Sequence, residues 1–167
     1  MNQTKNLPVK KGLLYGVMLG IVVVSIGIIR YKTGMILHDD QTLSYVYWCI
    51  FTLTIWYAVF QFKKQDAASF SYRQTIKIGL LSGLISAALY TVYIVVLNTY
   101  IDPELASKII EYKTANQAGL SAEDVSNSNK IMEMNEALRG LVYMFVCMTF
   151  GSIHSTMATF VAKRGKS

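Results

Sequence analysis

A single histidine lies deep in one of the long apolar runs of this sequence. His154 is about seven residues, or roughly 10 Å of helix, from the carboxyl end of the run 138–162. Hydroxyl side chains accompany it on its own run and on the preceding one: Ser152, Ser155, Thr156, Ser86 and Tyr90. An ionisable residue in such a position is a functional candidate, because lipid makes it costly to keep. The pattern predicts a polar intramembrane cluster of His154, Ser155, Ser86 and Tyr90.

Two functions fit that cluster. A histidine facing hydroxyl groups can relay a proton or contact a ligand that crosses the membrane. A neutral histidine can also hydrogen-bond a facing hydroxyl or carbonyl and simply join two helices. The residue types alone leave both open.

Other chemistry is absent from the sequence. The apolar runs contain no Asp or Glu, which argues against a proton-coupled transporter that uses a membrane carboxylate. No zinc-binding H-E-x-x-H pattern, phosphate-binding glycine loop or nucleophile motif occurs. Cys49 and Cys147 lie in different runs, so we expect two separate buried thiols and no redox or metal pair. We therefore expect no catalytic residue, no cofactor and no metal site, and we do not expect an enzyme.

The composition indicates a membrane protein. Of 167 residues, 53% are hydrophobic and only 16% are charged, with a mean hydropathy of +0.35. The net charge of +6 would fit nucleic acid if basic residues formed one folded face. They flank the apolar runs instead, so we expect lipid and not nucleic acid as the partner.

Four apolar runs have the length that a bilayer requires, about 20 helical residues. They are 13–31, 43–62, 76–101 and 138–162. The runs lack the polar stripe of soluble bundle helices. We predict an all-α, polytopic four-transmembrane-helix bundle that forms a single membrane domain, 1–167. The short connections 32–42 and 63–75 are expected to make consecutive spans antiparallel neighbours.

Basic residues near span ends predict the orientation, because they are retained on the cytoplasmic side during insertion. Ten of the sixteen lie at the two termini and in the second loop, and six on the other side. Both termini are therefore predicted to be cytoplasmic. Aromatic belts are expected at the two interfaces, the outer one formed by six residues: Tyr31, Tyr45, Tyr47, Trp48, Tyr100 and Tyr143.

The third loop, 102–137, is long and acidic. Asp102 and Pro103 suit the start of a helix. We expect that helix to run to about Ala118 with Leu105, Ile109 and Tyr112 on one face, and a second helix to begin at Ser121. The loop then forms either a helical hairpin packed over the bundle or a docking surface for another envelope protein.

Small residues at four-residue spacing allow close helix approach in lipid, where apolar burial gives no gain. Three such ridges occur: Gly12, Gly16 and Gly20; Gly79, Gly83 and Ala87; and Gly151, Ser155 and Thr159. They serve packing within one chain, which we favour, or between copies in a homo-oligomer.

Several short stretches resemble one family of bacterial inner-membrane proteins, domain-of-unknown-function 4199. They are Phe70–Thr75 (FSYRQT), Gly79–Gly83 (GLLSG), Tyr100–Glu104 (YIDPE) and Gly119–Asp124 (GLSAED). The resemblance extends from about Lys11 to Lys163. The resemblance implies a four-helix membrane protein and implies no activity.

These observations together favour a non-catalytic inner-membrane component. Its basic cytoplasmic edges would bind anionic headgroups, and its outer loop would contact an envelope protein. The alternative is a small oligomeric carrier or channel that uses His154 and the hydroxyls of the third span. A third possibility, a membrane-embedded enzyme, would hold a lipid or cofactor between the third and fourth spans.

Overall fold

The structure, a computed structural model, describes residues 6–38, 41–116 and 136–164, and these residues are almost entirely helical. The helices are α1 (Leu7–Lys32), α2 (Thr42–Gln65), α3 (Tyr72–Val96), α4 (Leu105–Asn116) and α5 (Glu136–Arg164). A π-helical turn, Leu97–Ile101, continues α3. The predicted second loop helix beginning at Ser121 lies outside the described residues.

Four of the helices, α1, α2, the continued α3 and α5, are long and apolar enough to cross a membrane. The prediction of an all-α protein with four spanning helices is confirmed. Each helix extends a few residues beyond its apolar run. Side chains such as Leu53 and Phe145, 70% and 71% exposed, point outward from the bundle. A soluble protein would not leave so many large apolar side chains uncovered, whereas lipid solvates them.

Helix α3 is the centre of the bundle. It packs along α1 on one side and along α5 on the other, while α2 lies diagonally opposite and contacts α1 and α5. The short loop between α2 and α3 keeps them antiparallel but does not make them close neighbours. The expectation that consecutive spans are neighbours is therefore wrong for this pair, because α1 and α5 occupy the small-residue faces of α3.

The glycines of α1 face α3. A Cβ atom on Gly12 would lie 2.7 Å from the Leu81 Cβ, and one on Gly16 would lie 2.9 Å from the Ile85 Cβ. Real Cβ atoms do not approach so closely, so these positions accept only glycine at the present helix separation. The Ser82 hydroxyl also donates to the Gly12 carbonyl at 3.1 Å, which joins the two backbones.

The contact between α3 and α5 is closer still, because backbone meets backbone. A Cβ atom on Gly79 would lie 2.5 Å from the Gly151 carbonyl carbon, and one on Gly83 would lie 2.7 Å from the Cys147 carbonyl carbon. Farther along, the Thr159 hydroxyl donates to Thr75 Oγ1 at 2.7 Å. The small-residue ridges of the third and fourth spans thus pack against each other within one chain.

Helix α2 packs differently because its residues 42–65 contain no glycine. Phe51, Ile55 and Phe62 are fully buried and fill the space between α2 and the other helices. Leu19 and Val23 of α1 join the same apolar core. Of the two cysteines, Cys147 is buried as expected, but Cys49 is exposed on the outer surface of α2.

Alanine substitution tests which glycine contacts set the helix separation. We expect Gly83→Ala to lower the free energy of unfolding by about 1–3 kcal/mol, because the added methyl meets backbone of α5 that cannot turn aside. Gly20→Ala is the matched control, since the three atoms nearest its methyl all belong to the partly exposed Leu89 side chain. The Leu89 Cδ1 can turn away by a change of rotamer, and the Leu89 Cβ, at 3.1 Å, needs only a small shift. Unfolding in mixed detergent micelles measures the free energy of unfolding of both variants. Equal losses would show that the backbone contact at Gly83 does not set the helix separation.

Candidate functional site

Three tyrosines, one buried and two half-buried, meet at the end of the bundle that carries α4, called here the α4 end. The opposite end, which carries the chain termini, is the termini end. Tyr47 of α2 is 3% exposed, and its hydroxyl is 2.7 Å from the hydroxyl of Ser86 on α3. Tyr143 of α5 adjoins both Tyr47 and the Cys147 thiol. Tyr90 packs its ring 5.1 Å from the ring of Tyr143. We call Tyr47, Tyr90 and Tyr143 the tyrosine cluster.

The cluster borders a cavity of about 260 Å³ to which all four spanning helices contribute. Arg30, in the last turn of α1, lines this cavity together with Ser44, at the start of α2. An Arg30 terminal nitrogen, Nη1, donates to the Ser44 hydroxyl at 3.2 Å. The Arg30 Nε is buried and has no hydrogen-bond partner among the described residues. The site therefore combines one cation, several hydroxyls and an unused donor.

Two of the cluster residues were expected elsewhere. Tyr47 and Tyr143 were predicted in the outer aromatic belt, yet Tyr47 is buried in the bundle and Tyr143 is half-buried beside it, whereas Tyr45 and Tyr100 are 69% and 79% exposed. The helical spacing of Tyr47 and Tyr143 from other residues of the buried face could have predicted this position. Tyr47 precedes Phe51 and Ile55 at four-residue steps, and Tyr143 precedes Cys147 and Gly151 in the same way. Residues in phase with the buried face of a helix are themselves buried.

His154 makes its hydrogen bond within its own helix. Its Nδ1 is 2.9 Å from the Phe150 carbonyl oxygen, and its ring stacks on the Phe150 ring at 4.8 Å. A carbonyl oxygen only accepts, so Nδ1 carries the proton and the imidazole acts as a local donor. The geometry is that of a side chain tied to its own helix.

The predicted polar cluster is divided between two levels of the bundle. Because Gly79 faces Gly151 and Gly83 faces Cys147, antiparallel register places Ser86 opposite residue 144. His154 is ten residues from that position, or about 15 Å along the helix axis. Ser86 and Tyr90 thus belong to the tyrosine cluster, while Ser155 donates to the Ser152 carbonyl and lies beside Gly79.

Helix α4 is attached to the α4 end by polar contacts. Asp102 accepts hydrogen bonds from Lys108 Nζ at 2.8 Å and from the Tyr31 hydroxyl at 3.3 Å. The Tyr112 hydroxyl lies 2.5 Å from His38 Nδ1, and Leu105 is 4% exposed. The opposite face of α4 carries exposed side chains, among them Ser107 and Glu111. Two of these contacts, to Tyr31 and to His38, connect the described part of the third loop to α1 and to the segment that follows it.

A protein-family model matches residues 14–164 of the chain; it describes a protein of unknown function, DUF4199. The match includes α1 from residue 14 onward and the whole of α2, α3, α4 and α5. No curated protein and no solved structure gives a significant match. The comparison thus relates the chain to a family over nearly its whole length and supplies no activity.

The Tyr47–Ser86 contact predicts a measurable coupling. Tyr47→Phe and Ser86→Ala are each expected to lower the free energy of unfolding by about 0.5–1 kcal/mol, the range for hydrogen bonds between membrane helices. The double variant should lose less than the sum, because both changes remove the same bond. Ser25→Ala, which affects only a bond to its own helix at Ile21, is the control. Additive losses in a double-mutant cycle would show that the two hydroxyls do not interact.

The attachment of α4 should depend on pH. The hydrogen bond from Lys108 lowers the pKa of Asp102 below its ordinary value, so the ionised carboxylate stabilises the attached state. That contribution is complete at neutral pH and is lost as the pH falls below about 4, through the lowered pKa. Hydrogen exchange of the α4 amides, corrected for intrinsic rates, should rise over that range. In Asp102→Asn the exchange should already be faster at neutral pH and lose this pH dependence; an unchanged pH profile would contradict the assignment.

Proposed function

The chain belongs to the DUF4199 family of proteins of unknown function, and we propose that it is a non-catalytic component of a bacterial inner membrane that contacts an envelope protein through α4. The observation that carries the proposal is the attachment of α4 described above. A helix held by Asp102, Lys108 and Tyr112 presents a constant surface. Such preorganisation lowers the entropy cost of binding a partner.

The exposed face of α4 suits a protein partner. Glu104, Ser107, Lys108 and Glu111 are all exposed and lie at helical spacing along it. Glu104 keeps 82% of its side chain exposed, and its carboxylate lies 3.9 Å from Lys108 Nζ, so the two charges lie side by side on this face. Mixed charges of this kind give orientation and specificity more than affinity. The proposed partner is therefore a soluble face of another envelope protein with complementary charge.

The termini end supports the proposed orientation. Its described residues include eight basic side chains and one acidic one, Asp66; the basic ones are Lys10, Lys11, Lys63, Lys64, Arg73, Lys77, Lys163 and Arg164. Lys163 and Arg164 lie over the rings of Tyr72 and Phe160 at 4.2 Å. Aromatic rings and long cationic side chains together favour the headgroup region. We propose cytoplasmic termini and contact of this end with anionic headgroups.

The carrier or channel alternative receives less support. It depends on His154 acting with Ser86 and Tyr90, and His154 bonds to its own helix at Phe150 instead. Reconstituted flux that is abolished by His154→Ala would nevertheless decide for that alternative.

Crosslinking tests the partner contact. A photo-crosslinking residue at Ser107 or Glu111 of the full-length protein is expected to give the same protein adduct in intact cells. The same residue at Ala68, exposed in the loop between α2 and α3 at the termini end, is the matched control. The adduct should weaken at least severalfold with Asp102→Asn, which removes the carboxylate that accepts from Lys108 and Tyr31 and so loosens α4 without changing its exposed face. Equal adducts from Ser107 and Ala68, or none from α4, would refute the proposal.

Reporter fusions test the orientation. A reporter that is active only in the cytoplasm should be active when fused after Arg164 and inactive when inserted beside Glu111. The reverse pattern would place α4 in the cytoplasm and contradict the proposed membrane orientation.

A further inference from the structure

The cavity beside the tyrosine cluster is chemically unusual for the interior of a membrane bundle. Its wall contains the guanidinium group of Arg30, three tyrosines and a serine, and it is formed by all four spanning helices. Polar side chains from four helices meeting at one cavity of about 260 Å³ are not needed for packing, which the glycine ridges already provide. They point to a bound polar group.

The charge of the cavity determines what that group is. Arg30 has five N–H donors and no acceptor, and one of them, Nε, is buried without a partner among the described residues. In the part of the chain that the structure describes, no carboxylate lies within ion-pair distance of Arg30; the two ion pairs there both involve Lys108. A partly buried cation with a spare donor is completed by an oxyanion, which accepts charge-assisted hydrogen bonds.

The hydroxyl groups that line the cavity also favour an anionic ligand. Tyr90 lies near enough to Arg30 for their charges to interact. Ser44 already receives one guanidinium donor and positions the side chain towards the cavity. The Tyr47 hydroxyl is engaged with Ser86, and the Tyr143 hydroxyl with Tyr47 and Cys147. Tyr90 and Arg30 are therefore the groups that can donate to an anion. The head of the ligand is therefore anionic and small.

A second cavity indicates that the anion has an apolar extension. It measures about 240 Å³, lies between α3 and α5, and shares Tyr90 and Tyr143 with the first. Ile94, Val95 and Gly140 line it, so its surface is mainly apolar, with Arg139 also at its wall. Val95 is 37% exposed on the lipid-facing side of the bundle. An acyl chain can thus lie along α3 and α5 while its headgroup reaches Arg30.

We propose that the Arg30 cavity binds the phosphate of an anionic phospholipid from the leaflet at the α4 end, with one acyl chain passing Tyr90 and Tyr143 into the apolar second cavity. The site is separate from the basic residues of the termini end, which lie at the other face of the membrane. It is also independent of the partner contact through α4.

A local optical probe tests the proposal. Trp48 lines the Arg30 cavity, and Trp56→Phe makes it the sole tryptophan of the protein. In this background, in a neutral maltoside detergent, dioctanoyl phosphatidylglycerol is expected to change the Trp48 emission saturably. Dioctanoylglycerol, which has the same chains without the phosphate, and inorganic phosphate alone should each have little effect. Equal action of dioctanoylglycerol would overturn the anion site, and equal action of inorganic phosphate would overturn the lipid assignment.

Substitutions test whether phosphatidylglycerol binds at the Arg30 cavity. Arg30→Gln is expected to raise the half-saturating concentration of phosphatidylglycerol at least about tenfold, because a charged hydrogen bond is lost. Arg73→Gln, at an exposed position of the termini end, should leave it unchanged. Tyr90→Phe keeps the ring packing on Tyr143 and should weaken binding severalfold without loss of fold. Unchanged saturation in both Arg30→Gln and Tyr90→Phe, or an equal loss in Arg73→Gln, would refute the site.

Discussion

The closest contact in the bundle is the meeting of two backbones, where α3 and α5 cross at Gly79 and Gly151. Lipid surrounds the outside of the helices, so burying apolar side chains between them brings little free energy. Attraction has to come from many atoms at van der Waals distance and from hydrogen bonds across the contact. Because glycine has no side chain, many backbone atoms reach van der Waals distance at this crossing. The hydrogen bond between Thr159 and Thr75 joins the same two helices. On the other side of α3, the glycines of α1 also allow a close approach, there against side chains such as Leu81 and Ile85.

This close packing on two sides of α3 leaves α2 in a different situation. Helix α2 has no small-residue ridge, so it is separated from α3 and its large side chains fill the gap. Towards the termini end the filling is apolar, with Phe62 and Ala58. Towards the α4 end Tyr47 and the cavity replace a continuous apolar core. The tyrosine cluster thus exists because three helices are fixed by glycine contacts and the fourth is not.

The two ends of the molecule consequently differ in chemistry. At the termini end, cationic side chains project outward over aromatic rings. This geometry suits a membrane surface of mixed anionic headgroups. At the α4 end, Arg30 lines a cavity with three tyrosines, and the neighbouring residue Tyr31 donates to Asp102, which precedes α4. An inward cation selects one ligand, whereas outward cations attract many. The proposed functions, a specific lipid site and a fixed protein-binding helix, both belong to this second end.

The sequence by itself determined the properties that depend on local composition and period. Apolar length predicted four spans because a bilayer demands about 20 helical residues, and small residues four apart predicted which faces could approach closely. The sequence did not determine which small-residue ridges pack against each other, since the ridges that contain Gly12 and Gly151 could each pack against either face of α3. Only the tertiary structure decided that register, and with it the separation of His154 from Ser86 by about 15 Å. The inward position of Tyr47 and Tyr143 also required it, because a tyrosine suits an interface and a polar core alike until its neighbours are known.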